Sequence, residues 1–125
     1  HGALQVSAGV DNKRVKEVIK AVLEEFMRLK EELVSAEELR KVKDCLIGNF
    51  FLSLESSDSL SEYYGGQEVL RKPLKTPDDI VKEIERVLAE DIQHLAKRIF
   101  VPRHLNLALI GRFKKTDEFL KVLKL

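Results

Sequence analysis

Cysteine occurs once in this 125-residue chain, so no internal disulfide can form and the fold does not depend on an oxidising compartment. That usage is compatible with the cytoplasm. No apolar run approaches the roughly 20 residues a membrane helix needs, and the first residues lack the basic and apolar regions of a secretory leader. Neither sign of charge prevails: 22 basic and 21 acidic residues are spread along the chain with no charged tail, which argues against a nucleic-acid footprint. Phosphate loops, dinucleotide fingerprints and glycosylation sequons are also missing.

What is present suits one domain with a core: 44% apolar and 34% charged residues over a length that suggests no second domain. The organising stretch is Ser35 to Leu70. Ser35 can cap a helix, with Glu38 three residues on to reach back. From Cys45 to Leu54 the polar face nearly vanishes, leaving Cys45, Leu46, Ile47, Phe50, Phe51, Leu52 and Leu54 around most of the circumference. A helix apolar all round is expected to be covered on more than one side.

Before it, Leu4, Val6 and Ala8 alternate with Gln5 and Ser7, the period of a half-buried strand over Ala3 to Gly9. Asp11 then caps a helix with the stripe Val15, Val18, Ile19, Val22, Leu23, Phe26, Leu29 and Leu33. Glu55 to Ser59 supplies residues that compete with helix bonds, and a further helix places Leu60, Tyr63, Tyr64, Gln67 and Leu70 at helical spacing. Gly65 and Gly66 interrupt that helix, so either another backbone approaches there or the helix breaks. Thr76-Pro77-Asp78-Asp79 is a strong helix start, with Ile80, Val81, Ile84, Val87 and Leu88 as the buried stripe. A helix bearing Ile92, Leu95, Ala96, Ile99 and Phe100 ends at Pro102. His104 to Gly111 reads as a buried strand, and Thr116 caps a last helix with Phe119, Leu120, Val122 and Leu123.

Two strands near opposite ends of a helical chain are an odd inventory, because an isolated pair is marginal in water. Either the missing strands come from another copy, or the chain is the back half of an α+β domain; the second is preferred.

Laid out in this order, the chain resembles the C-terminal half of a non-catalytic domain from the pitrilysin/insulinase family of zinc metallopeptidases, which includes the mitochondrial processing peptidases. The residues behind the resemblance are Ala8-Gly9-Val10-Asp11, Val34 to Leu39, Leu46-Ile47-Gly48-Asn49, Leu52 to Ser57, Thr76 to Ile80, Ala89 to Ile92 and Leu105 to Gly111. The resemblance implies an α+β unit with helices on one face of a mostly antiparallel sheet, with strands near Ala3-Gly9 and His104-Gly111, and makes residues 1–125 a single partial domain. It further implies a chamber around peptide substrate, closed by a zinc-bearing catalytic partner. Zinc in that partner is held by an HxxEH helix. Of His1, His94 and His104 no two are four apart, so this chain cannot hold that site and is expected to be inactive alone. The arginine and tyrosine by which a family partner unit holds substrate would precede His1, so no functional residue is transferred.

The remaining candidates are weighed against plain structural roles. Glu90, Asp91 and His94 could suggest a metal pair, but zinc sites need three or four converging ligands, and a solvated helix residue is the better account of His94. His104 reads as a loop residue and Cys45 as a small buried hydrophobe. Ser53, Ser56, Ser57, Ser59 and Ser61 lack a nucleophile elbow and suit caps and turns. Tyr63 and Tyr64 point about 100° apart on a helix, so one can face the core while the other lines a peptide-binding wall, with Gln67 a turn away. Catalytic, cofactor and metal residues are therefore expected to be none in this chain. The alternative function is a structural or assembly subunit, or a partner-binding module, with no link to proteolysis. Unpaired strand edges are expected to drive self-association.

Overall fold

The structure, a computed structural model, describes residues 2–113 and 117–123. Among the described residues six α-helices follow in order: α1 (Val15–Glu31), α2 (Ala36–Ser53), α3 (Ser57–Val69), α4 (Pro77–Arg86), α5 (Ala89–Ile99) and α6 (Asp117–Leu120), with a 3-10 turn at Pro102–His104. The chain separates into two compact units, residues 1–33 with 92–125, and residues 34–91.

No strand occurs among the described residues, which overturns the α+β expectation. Residues 2–10 and 105–110 lack regular secondary structure, and Leu4 is 60% exposed and Ile110 fully so. The physical reason is that alternation prepares a face but supplies no neighbour, and a strand exists only where a second backbone takes its amides and carbonyls.

In the first unit, α1 presents Val15, Ile19 and Leu23 at steps of four, and all three are buried against Phe119 of α6. Phe26, Leu105, Phe113, Val122 and Leu123 close around this cluster. Phe26 stacks on Phe100 with ring centroids 4.2 Å apart, and Phe113 meets Phe119 edge-on at 5.0 Å. Lys16 pairs with Glu118 and lies 5.9 Å from the Phe119 ring, tying α6 to α1 from the solvent side. A Cβ at position 111 would fall 2.6 Å from the Phe113 ring, so any larger residue there requires the ring to shift. Helix α1 begins at Val15; Asp11 caps only the turn before it, accepting from the Lys13 amide at 2.9 Å. Thr116, the expected cap of α6, lies outside the described residues.

The second unit contains none of the buried apolar side chains. Its α2 half-buries Leu39, Lys43, Ile47, Phe50 and Leu54 along one face and packs on α4. Lys43 donates to the Glu85 carbonyl at 2.6 Å, placing a cation at the negative end of α4. The rest of α2 is open, with Leu46 and Leu52 more than half exposed, so the expected cover on several sides is not found. Val87 and Leu88 likewise fall outside α4 and are exposed.

Helix ends follow local chemistry. Ser35 accepts from the Glu38 amide and Ser56 from the Ser59 amide. Thr76 and Asp79 form a reciprocal capping box, with Pro77 in the first turn of α4. Helix α3 runs unbroken through Gly65 and Gly66, and a Cβ at either would meet nothing within 4 Å, so neither a break nor a close approach explains them. It ends in a Schellman turn: the Lys72 amide donates to the Gln67 carbonyl and the Arg71 amide to Glu68, with Arg71 at φ 49°. A non-glycine residue in that region costs about 1 kcal/mol.

Gly65→Ala and Gly66→Ala are each expected to stabilise the chain by about 0.5–1 kcal/mol, since open helix positions favour alanine. Urea unfolding checks this, and a loss of stability would mean that the glycines are sterically required. A second expectation concerns pH. Hydrogen bonds from the Thr76 hydroxyl and amide, with Lys82 nearby, hold the Asp79 carboxyl below the usual aspartate range. A depressed folded pKa contributes stability above the unfolded value and loses it as pH falls through the folded one. The first turn of α4 should therefore loosen as pH drops below about 4, and Asp79→Asn should flatten that dependence, read from amide shifts of residues 77–80.

Candidate functional site

The tyrosine pair and Gln67 come together at one end of residues 34–91. Tyr63 sits edge-on to Phe50 of α2 at 5.7 Å and to Tyr64 at 5.1 Å, and both tyrosines are half-buried. The Tyr63 hydroxyl donates to the Lys75 carbonyl at 2.9 Å. Gln67 binds both backbone groups of the same residue: its Oε1 accepts from the Lys75 amide at 2.8 Å, and its Nε2 donates to the Lys75 carbonyl at 3.2 Å. A side-chain amide thus stands in for a neighbouring strand and pins the loop between α3 and α4. Tyr63 and Gln67 are occupied by the fold, and Tyr64 alone of the three keeps its polar group uncommitted among the described residues.

The other candidates do not converge. His94 and Glu90 are exposed on α5, while Asp91 accepts from the Leu88 amide at 2.9 Å as a helix cap. His104 is exposed in the 3-10 turn, and its carbonyl accepts from the Asn106 side chain. No group of three metal-ligating side chains occurs among the described residues, and His1 lies outside them. Cys45 is exposed on α2 beside Asn49 instead of buried, because the helix around it is uncovered. Ser56 caps α3 and Ser53 donates back to the Phe50 carbonyl at 2.7 Å; Ser57, Ser59 and Ser61 lie within α3. Sequence reasoning did not foresee the Gln67 clamp, since nothing in the eight-residue separation announces it.

A profile described as the Peptidase M16 inactive domain matches residues 1–46. A Bacillus subtilis protein named "Uncharacterized zinc protease YmxG" is 30% identical over 110 residues, which is 88% of this chain and 27% of that protein. The chain is similar to the inactive domain of the pitrilysin, or M16, peptidase family. Mitochondrial-processing peptidase subunit alpha from Pongo abelii and from Rattus norvegicus are each 29% identical over 98 residues, 78% of this chain and 18% of theirs. The chain therefore spans about a quarter of YmxG and under a fifth of the alpha subunits. No solved structure matches it significantly. Within the pitrilysin family the match is to the non-catalytic part, consistent with a sequence whose histidines cannot form HxxEH.

Gln67→Ala leaves both backbone groups of Lys75 without that partner. A loss of about 1–2 kcal/mol is expected, with faster hydrogen exchange at the Lys75 amide; Tyr63→Phe should cost about 1 kcal/mol and leave that amide protected.

Proposed function

We propose that residues 1–125 form one incomplete domain of a pitrilysin-family protein, the back half of its inactive unit, which helps enclose peptide substrate beside a separate zinc-bearing unit. The observation behind this is the match over 110 residues to a protein named a zinc protease, in a chain whose three histidines cannot form the zinc motif. On this reading the zinc and the attacking water belong to a partner domain or subunit, where the metal acts as Lewis acid and water activator. This chain supplies wall and no proton transfer. Tyr64, half-buried with its hydroxyl uncommitted, is the side chain best suited to touch an extended peptide. Segments 2–10 and 106–110, which carry no regular secondary structure, are where a second copy or the remainder of the domain would pair.

Incubating the chain with zinc and unstructured peptides should give no cleavage above background, and chelator-sensitive hydrolysis would overturn the reading. In the complete parent protein, a photoreactive group at position 64 should crosslink to an unfolded peptide. Failure to do so while the parent still cleaves peptides would assign the wall to other residues.

A further inference from the structure

We propose that the loop from Val69 to Leu74 is a preformed docking edge for an acidic, apolar-pocketed face of another polypeptide. Four observations meet in it. Val69, Leu70 and Leu74 are 82%, 64% and 60% exposed, three large aliphatic side chains held out to solvent within six residues. Residues 69–75 contain three cations and no carboxylate. Lys75 is neutralised by Glu83 at 2.6 Å, while Arg71 and Lys72 form no ion pair with a described residue. The Glu68 carboxylate, just before the loop, forms no ion pair with either cation, although its carbonyl accepts from the Arg71 amide.

The loop is also fixed. Its far end is gripped by the Gln67 amide and the Tyr63 hydroxyl on the Lys75 peptide, and its near end by the Schellman turn. Exposed loops commonly gain little by such double anchoring, but a docking edge gains because less freedom remains to be lost on binding. Arg71 occupies a left-handed backbone position, φ 49°, where glycine would be relaxed, so the guanidinium stands there at a backbone cost.

Charge decides the occupant. Two free cations flanked by aliphatics complement carboxylates around an apolar pocket. A lipid surface is disfavoured, since anionic bilayers are bound by clusters of about four to eight basic residues or by a long amphipathic helix.

The test uses the full 125-residue chain and a fluorescent peptide of alternating glutamate and leucine, with a lysine/leucine peptide and phosphatidylglycerol vesicles as comparisons. The acidic peptide should bind, more weakly as salt rises, and the basic peptide should not. Arg71→Glu with Lys72→Glu should weaken binding at least tenfold, and Leu70→Ser with Leu74→Ser comparably, with circular dichroism unchanged. Gln67→Ala keeps every side chain of the edge but frees the loop, so it should weaken binding several-fold. Unaltered affinity in the charge-reversed variant, binding to vesicles in place of the acidic peptide, or no binding of that peptide would each overturn the proposal.

Discussion

A helix leaves amide groups over at its start and carbonyls at its end, and in residues 34–91 the placement of each element follows from where those groups find a partner. Ser35, Ser56, Thr76 with Asp79, and Asp91 accept amides at the starts of α2, α3, α4 and α5. The left-handed Arg71 lets two amides return to the last turn of α3. With no buried apolar side chain in that unit, these terminal bonds and the α2–α4 contact define its architecture. Residues 1–33 with 92–125 work differently: there an apolar stripe on α1 collects aromatic rings from distant parts of the chain.

That contrast explains what could be read from the letters. Caps are local, so serine, threonine and aspartate at the right offset announced α2, α3 and α4 without knowledge of anything else. The stripe Val15, Ile19, Leu23 was equally plain, because period alone selects the inward face. Cover is not local. The apolar circumference of α2 implied neighbours, yet sequence has no means of saying whether they reside in the same polypeptide, and Leu46, Leu52 and Cys45 stand open. The same gap accounts for the strands. Alternation at Ala3–Gly9 and density at His104–Gly111 describe segments ready to pair, and pairing is a property of two backbones.

The site shows the limit in another form. Tyr63, Tyr64 and Gln67 were singled out as a set, and they do assemble, but the purpose of two of them lies in the Lys75 peptide. A glutamine that mimics a strand leaves no periodic trace. The family resemblance rests on ordered similarity over most of the chain and not on any functional side chain.

The first unit is discontinuous, and this bears on how it can be assembled. Phe119 reaches α1 only after the whole of residues 34–91 has been bridged, and closing a span in a flexible chain costs entropy that rises with its length. Three helices that terminate by their own neighbours shorten that span before any distant contact forms. The middle of the chain thus acts as a self-winding spacer, bringing two remote ends within reach of one another at smaller entropic loss than a featureless connector of equal length would impose.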